Sequence, residues 1–97
     1  MKLFHATNEK AANLILAKGF KDAIGRYYTS DLHKGVFLSD KPLDENEGAK
    51  GEVLLVIEIP WKWVKPYEWK HDGPYREFCV PAKNINQFGV VKIFEEK

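Results

Sequence analysis

The segment EVLLVIEI, residues 52–59, sets the strongest condition on the fold. Alternation along a strand puts Val53, Leu55, Ile57 and Ile59 on one face and Leu54 and Val56 on the other, so both faces are apolar. Such a strand is buried on both sides, except where Glu58 emerges. The 97 residues make one domain, 1–97, with no room for a second. Three Trp, four Tyr and six Phe supply the bulk that a core this small needs and argue against disorder.

The remaining elements are short. Residues 2–6, KLFHA, read as a strand, after which Thr7 or Asn8 can cap a helix. Between Glu9 and Lys18, Ala11, Leu14, Ile15 and Lys18 share one face at helical spacing, and Gly19 is placed to end the helix. No other segment predicts a helix. Residues 20–34 lack a sustained period and read as a long, partly ordered loop of a kind that often carries function. GVFLS, 35–39, is a strand, and 40–51 is acidic and solvated.

Pro60 ends the long strand, and the alternating Trp61, Trp63, Tyr67 and Trp69 suggest an extended edge segment over 61–70. A turn at 71–74, a strand at 75–81, a turn at 83–86 and a last strand at 88–94 complete the chain. One helix and five or six strands without βαβ alternation predict an α+β domain with a mostly antiparallel sheet.

Several function classes are disfavoured. Fifteen Lys and Arg against fourteen Asp and Glu leave a net charge of +1 and no basic block, whereas nucleic-acid binding rests on phosphate neutralisation. No stretch approaches the roughly 20 apolar residues of a membrane span. MKLFHATNEK turns polar too early for a secretory signal. The single Cys79 excludes an internal disulfide and fits a reducing compartment, so a soluble cytoplasmic protein is expected. His5, His33 and His71 lack metal-ligand spacing, and no phosphate-loop or dinucleotide glycine motif is present. Cys79 lies inside a strand pattern and reads as a structural thiol rather than a nucleophile.

Polar groups in apolar strands stand out. His5 ends the first strand beside the helix start, and Glu77 lies within YREFCV. A carboxylate there must be paired, hydrogen-bonded or facing a cleft. Pairing with a neighbouring Arg or Lys on an exposed face is one reading of Glu77, and a half-buried strand end is one reading of His5. Glu58 and Glu68 raise the same question. The aromatic run with Lys62, Lys65 and Lys70 could stack unpaired bases, but core packing is the favoured reading.

LFHATN followed by a helix and GF, then GVFLSD, then YREFCVP, resembles the ADP-ribosyltransferases of the His–Tyr–Glu branch, which includes the poly-ADP-ribose polymerases. The HAT…GF opening also looks like the RNA 2′-phosphotransferases, and the later stretch looks like small bacterial proteins. The resemblance spans residues 3–81 and implies a split β-sheet fold with NAD as substrate. It makes His5 the signature His, with Ala6 and Thr7 completing the motif, and Glu77 the catalytic Glu. Phe37 stands where the Tyr is expected and keeps the ring without the hydroxyl; Ala6 stands in place of Gly.

On that resemblance His5 bonds a ribose hydroxyl, while the backbone at Ala6 and the Ser39 side chain hold the carboxamide. Phe37 with Tyr27 or Tyr28 sandwiches the ring. Arg26 either meets the pyrophosphate or is a solvated loop residue. Glu77 orients the 2′-hydroxyl and stabilises an oxocarbenium-like transition state, as carboxylates do in glycoside cleavage. Nicotinamide leaves as a neutral ring, so no general acid is needed. ADP-ribose passes to an acceptor the sequence does not specify, or to water. A non-catalytic nucleotide- or protein-binding module on this fold is the second reading. The third is an RNA-directed phosphotransferase or nuclease using His5 and Arg76.

Overall fold

The structure, a computed structural model, describes residues 1–26, 32–42, 53–69 and 74–94; for 23–26, 32, 33 and 69 it describes the backbone alone. β1 (Lys2–Thr7) lies between β3 (Leu32–Ser39) and β4 (Val53–Glu58). β6 (Glu77–Val80) and then β5 (Glu68–Trp69) extend the sheet beyond β3, and β7 (Val90–Ile93) extends it beyond β4. Every pairing is antiparallel. β2 (Ala23–Arg26) pairs with the first half of β3. The fold is a small α+β domain, and no helix among the described residues is long and apolar enough to cross a membrane.

The doubly apolar segment is β4, flanked on both sides by strands. Leu55, Ile57 and Ile59 are buried, and Leu54 and Val56 are half-buried on the opposite face. The main core gathers Leu3, Val36, Leu38, Leu55, Ile57, Phe78 and Val80 from four strands. Ala12 of α1 (Glu9–Lys18), Phe20, Val64 and Ile85 of α2 (Ala82–Phe88) cover it. The Asn8 side chain caps α1 by accepting from the Ala11 N–H at 2.7 Å.

Three expectations are corrected. The segment 20–34 is not one loop. Residues 23–26 and 32–35 form a hairpin ladder from Ala23↔Gly35 to Arg26↔Leu32, because backbone pairing orders strands that carry no hydrophobic period. The segment 61–70 is not extended. Pro60 and Pro66 fit two short 3₁₀ turns, Trp61–Trp63 and Lys65–Tyr67, and only Glu68–Trp69 joins the sheet. Trp63 stacks flat on Phe88 at 3.8 Å, and Arg76 lies over Trp61 at 5.0 Å, so the described aromatics of this run pack against the fold.

The segment 83–86 is not a turn but the middle of α2. Its helix start is satisfied from a distance: the Ala82 N–H donates to Asp22 Oδ1 at 2.8 Å, across 60 residues of sequence. The strand foreseen at 75–81 narrows to Glu77–Val80. Most of the acidic stretch 40–51, and residues 71–73 of the turn, lie outside the described residues.

Asn86 ties the two helices together. Its Oδ1 accepts from the Phe20 N–H at 2.8 Å, and its Nδ2 donates to the Phe20 carbonyl at 3.0 Å. The chain passes so close that a Cβ at Gly19, whose φ is 87°, would lie 2.7 Å from Asn86 Oδ1. Asn86→Ala leaves the Phe20 amide and carbonyl without these partners and lowers the unfolding free energy by about 1–3 kcal/mol. Urea denaturation of the two proteins checks this; a change within error would mean the clamp carries no stability.

Candidate functional site

The site begins where β1 and β3 part. The Met1 ammonium donates to the Ile59 carbonyl at 2.9 Å, and the Ile59 N–H donates to the Met1 carbonyl at 3.0 Å, so these residues exchange both bonds. In an antiparallel ladder that exchange recurs at every second residue. Leu3, His5 and Thr7 therefore turn their main chains to β4, while Phe4 and Ala6 turn theirs to β3. The register between β1 and β3 consists of one pair, Phe4↔Ser39. Continued by two residues, the ladder would pair Ala6 with Phe37. There the strands separate, and the N–H and C=O of Ala6 front the opening.

His5 fills the break. Its Nδ1 lies 2.9 Å from the Phe37 carbonyl, the group that the Ala6 N–H would meet in a continuous ladder. A carbonyl only accepts, so Nδ1 carries the proton. The ring packs edge-on against Phe20 at 5.3 Å, which Asn86 holds in place. Burial outweighs the carbonyl bond and pushes the His5 pKa below its ordinary 6.5, so the ring is neutral at pH 7 and Nε2 presents a lone pair.

A pocket of about 360 Å³ adjoins this ring. α1 supplies Leu14, Ile15 and Lys18, the turn after it Phe20 and Lys21, and β3 Val36 and Phe37. Thr7 lies on its wall at the end of β1. Lys18 and Lys21 were absent from the sequence-derived site. The helical face that carries Leu14, Ile15 and Lys18 was legible, but nothing in the sequence showed that it borders the strand opening. Gly35 permits the close approach on β3, since a Cβ there would lie 2.9 Å from Cys79 Sγ.

Ser39 and Glu77 lie across β3 and β6 as direct partners. The Asp40 N–H donates to the Arg76 carbonyl at 3.0 Å, which makes Ser39↔Glu77 the closer, non-hydrogen-bonded kind of pair, with Cα atoms roughly 4.5 Å apart. Both side chains are buried, Glu77 at 4% exposure. The Ser39 hydroxyl donates to the Lys41 carbonyl at 2.8 Å and keeps its lone pairs for a donor.

Alternation assigns the faces. Phe4, Ser39 and Glu77 share one face with Phe37 and Cys79, whereas His5 points to the α1 side. His5, Ala6, Thr7 and Phe37 thus meet at the opening, and Ser39 with Glu77 stands on the far side of β3 from the pocket. His5 and Glu77 therefore face opposite sides of the sheet.

The other candidates fall elsewhere. Arg26 belongs to β2, with its side chain outside the described residues, as are Tyr27 and Tyr28 entirely. Arg76 is engaged by Glu68 in a two-pronged ion pair, at 2.6 and 2.7 Å, so it is committed to the edge of the sheet. The Cys79 thiol is pushed up by burial and by the Asp22 charge, which keeps it protonated and a poor nucleophile. Among the described residues no cluster of His, Cys, Asp and Glu could hold a metal ion.

The half-buried His5 gives a stability profile with a defined sign. Its folded pKa lies below the unfolded value, so the unfolded chain takes up the proton first on acidification. The stability contribution is complete above pH 6.5 and is lost as pH falls from there through the depressed folded value. Thermal melts across that window should show a drop that is reduced in His5→Gln; an equal drop in both would place its origin elsewhere. No protein-family model, curated protein or solved structure matches the chain.

Proposed function

We propose that this domain is a minimal ADP-ribosyltransferase-like protein that binds NAD across the β1–β3 opening and cleaves its nicotinamide–ribose bond. The observation that carries the reading is the break after Phe4↔Ser39, where His5 takes the Phe37 carbonyl and the Ala6 backbone fronts the gap. The three segments on which the resemblance rests contribute β1, β3 and β6, and these are neighbours in the sheet.

Each group has a chemical task. Neutral His5 accepts a hydrogen bond at Nε2 from a ribose hydroxyl. The Ala6 N–H and C=O meet the two ends of the nicotinamide carboxamide, and Ser39 Oγ accepts from its NH₂. The Phe37 ring stacks on the nicotinamide. The bond from ribose C1′ to the ring nitrogen breaks with its electron pair passing to that nitrogen, and the neutral base departs. The Glu77 carboxylate holds the 2′-hydroxyl and stabilises the cation left on the ribose. Water or an acceptor then adds to C1′ and releases its proton. The free thiol of Cys79 accords with a reducing compartment such as the cytoplasm.

Saturating NAD should raise the melting temperature, with about 2.7 kcal/mol of added stability at a hundredfold excess over Kd. Nicotinamide should accumulate, and Glu77→Gln should cut its release by about a hundredfold or more while leaving the NAD-induced shift in place. Undiminished release by Glu77→Gln would remove Glu77 from the reaction. A shift without release from the unaltered protein would favour a binding module, the reading that Phe37 in the Tyr position also suits. No shift would remove NAD from the account.

A further inference from the structure

The pocket under α1 has a lopsided charge. Lys18 and Lys21 are on its wall, and none of its lining residues is an Asp or Glu. Neither ammonium group has an ion-pair or hydrogen-bond partner among the described residues. Asp22, adjacent in sequence, has Oδ1 engaged by the Ala82 N–H at the start of α2. The two lysines flank Gly19 and Phe20, and Asn86 fixes that turn through both polar atoms of the Phe20 backbone. Their main-chain anchors are therefore rigid although the side chains reach into solvent.

The rest of the wall is apolar, with Leu14, Ile15, Phe20 and Val36, and His5 adds a hydrogen-bond acceptor. Together these features suit a ligand with a flat apolar body, a hydroxyl donor and an anionic end. The volume of about 360 Å³ is near the lower end for small-molecule sites and holds part of a dinucleotide rather than all of it.

We infer that Lys18 and Lys21 form a phosphate subsite and that the pocket takes a phosphorylated nucleoside, its base on the apolar wall and its ribose at His5. The inference deepens the NAD reading: there, the adenosine diphosphate half lies on the α1 side and the nicotinamide half passes through the opening toward Ala6 and Glu77.

Calorimetric titration of the full chain with adenosine, AMP, ADP and inorganic pyrophosphate tests it, using Lys18→Gln/Lys21→Gln and a charge-matched control, Lys62→Gln/Lys65→Gln. ADP should bind at least about tenfold tighter than adenosine, with an advantage that shrinks at high salt. The Lys18→Gln/Lys21→Gln protein should lose that advantage and retain adenosine affinity, and the control should behave as the unaltered protein. Absence of ADP binding, equal affinity for ADP and adenosine, or an equal loss in the control would overturn the subsite. The two readings fail separately. The ADP pattern without nicotinamide release keeps the subsite and removes the NAD cleavage. Nicotinamide release at unchanged KM in Lys18→Gln/Lys21→Gln removes the subsite and keeps the cleavage.

Discussion

The contact between His5 Nδ1 and the Phe37 carbonyl governs the architecture of the site. Where two paired strands separate, each exposes main-chain groups that need partners. A side chain from β1 supplies one of them and holds the gap at a defined width. The same contact fixes the imidazole tautomer, and burial keeps the ring neutral. A structural need at the end of a short ladder thereby leaves an oriented acceptor facing a pocket.

That contact depends on parts of the chain far away in sequence. His5 rests against Phe20, Phe20 is clamped by Asn86, and the helix carrying Asn86 starts on Asp22. α2 has seven residues, too few to be stable alone, and its ends are secured by the turn after α1. The clamp keeps the pocket wall at a fixed distance from the strand opening. The opposite side of the site has a separate origin, since β6 places Glu77 against Ser39 through ordinary sheet register.

The sequence was most legible where periodicity carried the information. β1, α1 and β4 follow from alternation, helical spacing and the cap at Asn8, and their bounds fall within a residue or two of expectation. α2 was hidden because KNIN carries turn-forming residues, and its helix start is satisfied by Asp22 rather than by a local cap. β2 was hidden because pairing with β3, rather than a hydrophobic pattern, orders AIGR. His5 and Glu77 stand out in the sequence as polar groups in apolar strands, while Phe37 is singled out only by the resemblance. Their separation onto two faces follows from the register Phe4↔Ser39↔Glu77, which a single sequence does not reveal. The residue types of Lys18 and Lys21 do not reveal that the turn between them lines the pocket.

The central claim is that a ligand sits in the β1–β3 opening, and titration of NAD into isotope-labelled protein followed by NMR tests it most directly. The account predicts that the Ala6 amide and the His5 ring nitrogens shift together along one saturable curve, with Nε2 changing as it gains a hydrogen bond and Nδ1 staying protonated. Shifts confined to the aromatic segment 61–69, with Ala6 and His5 unmoved, would contradict it.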